Sequence, residues 1–221
     1  MKHTNKITNK TEGPLERRQR GFVNSRQALV LLALLFLMPV LVAYLMHMRV
    51  EHGWRPSSTT NKGALIQPPR PLTLPAGLVS ATGKSVSPDF LGGKWTLVYI
   101  DDATCGETCR NKLYQMRQVR LAQGENLRRV QRLFLVTGAS DTGELTKSLA
   151  DYPDMATALL SPAQAAVIAP LFSVAGMPGQ GSGNIYLVDP LGNLMMYYRP
   201  DADPRGIIQD LQRLLKYSHN G

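Results

Sequence analysis

The chain has 221 residues, enough for one domain of ordinary size and an additional segment, and 43% of them are apolar. The formal charge of +9 raises the question of nucleic-acid binding. Seven basic residues against two glutamates within the first 26 positions account for +5 of it, ahead of an uncharged apolar run, and this removes nucleic acid as a partner.

In chain order, residues 1–26 read as a basic arm carrying Lys2, Lys6, Lys10, Arg17, Arg18, Arg20 and Arg26. Residues 27–48 contain "ALVLLALLFLMPVLVAYLM", long enough to cross a hydrocarbon core of ~30 Å at ~1.5 Å per residue. A cleaved signal peptide is disfavoured, because the run is too long and no small-x-small site follows it. The basic flank then places the N-terminus in the cytoplasm and the bulk of the chain outside. In a bacterium this is a single-pass protein of the inner membrane with a periplasmic domain; in a mitochondrion the domain faces the intermembrane space.

Residues 49–75 are rich in Pro, Ser, Thr and Gly and read as an extended tether, with Trp54 as an interfacial anchor. Residues 76–217 form the expected folded domain, followed by a tail at 218–221. "GLVSATGKSVS" suggests a hairpin around Gly83, and the apolar run Lys94 to Ile100 a central strand. From Cys105 to about Ala122 the steps of three and four between Cys105, Cys109, Leu113, Met116 and Val119 predict a helix. Arg132 to Gly138 is a second buried strand. A helix over Leu145 to Leu149 starts near Asp141 or Thr142, and Ser161-Pro162 opens another. "NIYLVDPLGNLMMYYRP" predicts a hairpin turning at Asp189 to Gly192, and residues 203–217 an amphipathic helix with Ile207, Ile208, Leu211, Leu214 and Leu215 on one face. The class is α/β, a mixed sheet flanked by helices, preceded by one transmembrane helix.

Chemistry converges on Cys105 and Cys109, the only cysteines. At i and i+4 of one helix their Cα atoms would be about 6 Å apart, within disulfide range. A helix N-terminus favours a thiolate at Cys105, aided by Arg110 and opposed by Asp101, Asp102 and Glu107. Cys105 is expected to be the exposed, attacking thiol, and Cys109, on the stripe of Leu113 and Met116, the inner one. Three readings stay open: a redox dithiol, a pair of soft ligands for Cu(I), and a structural disulfide. The last is weakened by a loop of three residues, which removes little chain entropy. Zinc lacks ligands, since His219 in the tail is the domain's one histidine.

"GKSVSPDFLGGKWTLVYIDDATCGETCRNKL" resembles the opening of the Sco/SenC family of thioredoxin-like cytochrome c oxidase assembly proteins. "NIYLVDPLGNLMMYY" is similar to that family's later hairpin and "GIIQDLQRLL" to its last helix, so the resemblance spans roughly Pro75 to Tyr217. It implies a thioredoxin fold that delivers copper to the dinuclear copper site of oxidase subunit II, or sets the redox state of that site's cysteines. Cys105 and Cys109 match the motif cysteines, as catalytic thiols or as Cu(I) ligands. The position of the family's ligand histidine is Gly181, and Gly106 and Arg110 stand in place of the motif prolines. These departures describe a divergent relative: a thiol–disulfide protein acting on subunit II or on another assembly factor, with a Cu(I) chaperone and a non-catalytic scaffold as alternatives.

Lesser candidates are Met177 as a third soft ligand, Met195 and Met196, the Met46-His47-Met48 group with His52, and Pro178 as a cis-proline facing the dithiol. Arg110, Lys112, Arg117, Arg120, Arg128, Arg129 and Arg132 form a basic stretch that reads as a solvated face or as a docking surface for an acidic partner.

Overall fold

A computed structural model of the chain describes residues 24–51, 60–138 and 143–218. Most of the basic arm, His52, Trp54, the expected helix start at Asp141 or Thr142, and His219 lie outside the described residues. The chain divides into two compact units after Thr59. In the first, α1 (Ser25–Glu51) contains the apolar stretch Arg26–Arg49, which is long and apolar enough to cross a membrane by length and composition.

The second unit is built on a six-stranded mixed sheet. Its strands are β1 (Ala64–Pro71), β2 (Trp95–Asp102), β3 (Val130–Thr137), β4 (Met155–Leu160), β5 (Ile185–Val188) and β6 (Asn193–Tyr198), in the spatial order β1-β6-β5-β2-β3-β4. The β2, β3 and β4 pairings are parallel, whereas β5 runs antiparallel to β2 and to β6. The helices are α2 (Glu107–Leu121), α3 (Gly143–Leu149), α4 (Pro162–Ile168) and α5 (Pro204–Tyr217).

Why β2 lies in the middle follows from its sequence. All six residues from Trp95 to Ile100 are buried, as expected for a strand covered on both faces. Leu97 and Tyr99 point into a layer shared with Leu113, Met116, Ile207 and Leu211 of α2 and α5. Val98 and Ile100 point into the opposite layer, with Leu78, Ile168 and Phe172. The helices start where their caps predict. Ser161 and Gln164 form a capping box at α4, and Asp203 accepts from the Arg205 amide at α5, each followed by a proline. The stripe on α5 buries Ile207, Leu211 and Leu215. The turn at Gly83 is a tight one, with the Val86 amide donating to Leu78 and Ser80 facing Lys84.

Two elements depart from the sequence reading. Residues 64–71, expected within a tether, form β1 at the sheet edge, paired with β6. Pro68, Pro69 and Pro71 lack N–H donors, which an edge strand tolerates because its outer side pairs with nothing. Ile66 fills the core, and the Arg70 guanidinium donates to the Leu171 and Ser173 carbonyls at 3.0 and 2.8 Å. The other is β4, not anticipated because its six residues mix Ala and Thr with Leu; it gains its place from parallel pairing with β3.

The entry to this unit is fastened by a buried carboxylate. Asp210 on α5 accepts from the Lys62 amide (3.0 and 2.8 Å), the Gly63 amide (2.9 Å) and the Tyr198 hydroxyl (3.3 Å). Replacing Asp210 by Ala leaves buried donors unpaired and is expected to lower stability by about 2–3 kcal/mol. Urea unfolding followed by circular dichroism measures this; a loss below about 0.5 kcal/mol would contradict the assignment.

Candidate functional site

The parallel pair β2 and β3 ends at Asp102 and Thr137, and the chain leaves β2 through a turn onto α2. Asp102 Oδ1 accepts from the Thr104 amide at 2.9 Å and from its hydroxyl, which fixes the turn. Cys105 then takes a left-handed backbone conformation, φ +39°, and Gly106 is the N-cap of α2. Cys105 and Cys109 are joined in a disulfide with Cα atoms 5.0 Å apart.

This placement corrects the sequence reading twice. Cys105 lies ahead of α2 rather than inside it, because the reversal from strand to helix consumes residues 103–106. It is also not exposed: Cys105 is 2% accessible and Cys109 1%, both within the layer formed by Leu113, Met116 and Tyr99. The inward direction of Cys109 agrees with its stripe. What separates the two cysteines is their backbone setting: Cys105 lies in the turn ahead of α2, and Cys109 within the first turn of the helix.

Several polar groups surround the pair. Arg110 Nη1 donates to the Cys105 carbonyl at 3.0 Å. Tyr99, fully buried beneath the turn, donates its hydroxyl to Asp101 Oδ2 at 2.8 Å. Burial, then the hydrogen bond and charge of Asp101, push the Tyr99 hydroxyl well above the usual tyrosine range, so it stays a neutral donor. Lys112, one turn beyond Cys109, is buried and donates to the Pro200 carbonyl at 2.6 Å and to Gln115 at 3.0 Å. Burial lowers its pKa, with Asp201 acting the other way.

The segment from Gly179 to Asn184 passes beside the first turn of α2. A Cβ added to Gly183 would lie 3.3 Å from Pro200 and 3.8 Å from the Thr108 methyl. Gly181 is exposed at φ +68°, a backbone that would strain the side chain a ligand requires. Met177 is half-buried and packs on the other core layer, away from the layer holding the cysteines, so the structure does not bring it to them. Met196 is core, and Met195 is partly buried against the same layer. The Met177–Pro178 bond is trans; among the described residues the cis bond is Gln67–Pro68. Met46 and Met48 are exposed on α1. Among the described residues no group of three or more His, Cys, Asp or Glu is placed to hold a metal. In the disulfide form the two sulfurs are bonded to each other, and glycine stands where the resemblance implied a third donor.

The basic stretch is a solvated face only in part: Arg110, Arg117 and Arg128 are exposed, whereas Lys112 and Arg132 are buried. Arg120 reaches the Val130 carbonyl of β3 and Asp154, and Arg129 the Leu215 and Ser218 carbonyls at the end of α5. Arg132 is 2% exposed, with Nε and Nη1 lacking protein partners; burial and neighbouring Arg120 lower its pKa to about 10. None of this shows in a charge pattern, because long cationic side chains bury their stems on apolar surface.

Residues 95–218 match the family model described as "Transmembrane-like, thioredoxin-like, C-terminal domain". A search of curated proteins finds no match. Among solved structures, the domain is similar to copper-bound ScoI of Bradyrhizobium japonicum at 21% identity and TM-score 0.52, covering 64% of this chain and 98% of that one. Copper-bound yeast Sco1 gives 17% and 0.55, covering 66% and 94%. BsSco, a member of the Sco family of cytochrome c oxidase assembly proteins in which a disulfide switch was identified, gives 18% and 0.51, covering 70% and 100%. The likeness establishes a thioredoxin-like fold.

Lys112 supplies a test of the site's packing. Its folded-state pKa is lowered below 10.5, so the unfolded chain binds more protons between the two values, and stability contributed through this group rises with pH across that alkaline window. Lys112→Met removes this slope. Urea midpoints from pH 8 to 10 should rise more steeply in the parent than in the variant; parallel curves would contradict the burial of a charged amine.

Proposed function

Because the chain belongs to the transmembrane-like, thioredoxin-like C-terminal domain family, we propose that it is a membrane-anchored thiol–disulfide factor acting through Cys105 and Cys109 in cytochrome c oxidase assembly. The observation that carries this reading is the disulfide itself, set at the strand-to-helix turn with one cysteine in the turn ahead of α2 and the other in the helix. A three-residue loop is a poor staple, which favours chemistry over stapling. The oxidase assignment rests on likeness to the Sco proteins, and the partner is subunit II or another assembly factor. The basic arm preceding α1 supports a cytoplasmic N-terminus and a periplasmic domain.

In the reduced chain the Cys105 thiolate attacks a partner disulfide, forming a mixed disulfide and releasing one partner thiolate, which takes up a proton. Cys109 loses its proton and attacks Cys105 Sγ, closing the intramolecular bond and releasing the second partner thiol. Two electrons pass to the partner, and the chain is left in the disulfide form. Cys105 is assigned as the attacking residue because it lies outside the helix, in the turn ahead of α2, whereas exposing Cys109 requires unwinding α2. Copper binding, seen in the Bradyrhizobium and yeast proteins, would fall here to the two thiolates of the reduced pair.

In native membranes, Cys109→Ser is expected to accumulate a mixed disulfide through Cys105 with an oxidase component, visible on non-reducing gels and identified by mass spectrometry. Cys105→Ser should give none. Absence of any adduct, with a reduction potential for the parent below about −300 mV, would mark the bond as structural and overturn the proposal.

A further inference from the structure

The turn that carries the disulfide sets a physical problem for thiol exchange. An incoming thiolate must reach a sulfur along the S–S axis, yet Cys105 is 2% and Cys109 1% accessible. Cys105 nevertheless lies in the turn ahead of the helix, between the exposed residues Thr104 and Gly106. Cys105 also holds φ +39°, a left-handed conformation that costs a residue with a Cβ about 1–2 kcal/mol and persists only where its surroundings enforce it. Asp102 braces the turn ahead of the cysteine, through Thr104. The side-chain bond to the cysteine's own peptide comes from Arg110, whose Nη1 donates to the Cys105 carbonyl at 3.0 Å from an otherwise exposed position on the first turn of α2.

We infer that Arg110 is a positioning residue for thiol exchange: its guanidinium grips the Cys105 carbonyl and holds the turn closed over the disulfide until a docked partner takes the guanidinium over. This inference rests on the thiol–disulfide reading above. The guanidinium uses one of its donors on a single neutral carbonyl, while a carboxylate offers it a paired, charge-assisted contact. A partner carrying an acidic side chain beside its cysteines therefore competes for Arg110. Once released, Cys105 relaxes toward negative φ and its sulfur turns outward, while Cys109 stays anchored in α2. In the reverse direction of the exchange, starting from the disulfide form, a partner thiolate then attacks Cys105 Sγ and forms the mixed disulfide, while the intramolecular S–S bond breaks and Cys109 leaves as a thiolate that takes up a proton. Small thiols carry no such group and meet the closed turn, so the contact sets partner selectivity in addition to shape.

The test is the rate at which excess dithiothreitol reduces the full-length protein in detergent without denaturant, read as the mass shift after thiol alkylation. Losing one charge-assisted hydrogen bond that opposes opening should make Arg110→Ala about fivefold to tenfold faster than the parent. Arg110→Lys, which retains a cationic donor, should fall back toward the parent rate. Arg117→Ala removes the same charge from an exposed α2 position that does not touch the turn, and should leave the rate unchanged. Charge alone predicts the opposite sign, since removing a cation slows an anionic thiolate. A rate for Arg110→Ala equal to or below the parent, or equal acceleration by Arg117→Ala, overturns the role of Arg110. If the Cys109→Ser adduct forms normally in that case, the redox reading stands without it. Absence of the adduct removes the redox reading and this inference together.

Discussion

The architecture depends on β2 being buried on both faces. With Leu97 and Tyr99 committed to one apolar layer and Val98 and Ile100 to the other, the strand has no freedom to slip, because a shift of one residue would exchange the layers. Its C-terminal end is thereby fixed in space to within a residue. The turn from Asp102 to Gly106 inherits that precision, and the disulfide is set where the parallel strands stop and α2 begins. Strand ends in parallel sheets are where chain reversals expose backbone and polar groups, so the disulfide sits in the core directly beneath exposed turn residues.

Legibility of the fold tracked how strongly local pattern and tertiary context agreed. The strands β2 and β3, the β5–β6 hairpin and α5 were all readable, since continuous apolar runs, a turn sequence and a helical stripe each have one interpretation. The β1 segment was not, because three prolines in eight residues look like a linker unless a neighbouring strand supplies the pairing. The β4 segment was missed for a related reason: Ala and Thr carry little strand preference, and parallel pairing with β3 decides the matter. At the site, residue types and spacing singled out Cys105 and Cys109 and the inward direction of Cys109. The burial of Cys105 was hidden, because it follows from a left-handed turn that no periodicity reports.

Charged residues were the least legible of all. Lys112 and Arg132 lie within a stretch that reads as solvent-facing, yet both are buried, one on a carbonyl and one with two nitrogens lacking a protein partner. Lys112 thereby fastens α2 to the Pro200 carbonyl, and Arg120 and Arg129 act as internal fasteners on the C-terminal side of that helix. Net charge therefore says little about how the domain meets its partners. The acidic groups around the turn, Asp101, Asp102 and Glu107, and the guanidinium of Arg110 are the charges displayed there.

The two outer strands of the sheet carry a last consequence. On one side β1 presents prolines in place of three amide donors; on the other, the Leu159 amide of β4 is already occupied by the Val79 carbonyl. Neither border offers the regular ladder on which a second copy could extend the sheet. Copies gathered side by side on a lipid surface would collide often and at high local density. With the borders interrupted in this way, such crowding would be less prone to nucleate strand-to-strand polymers.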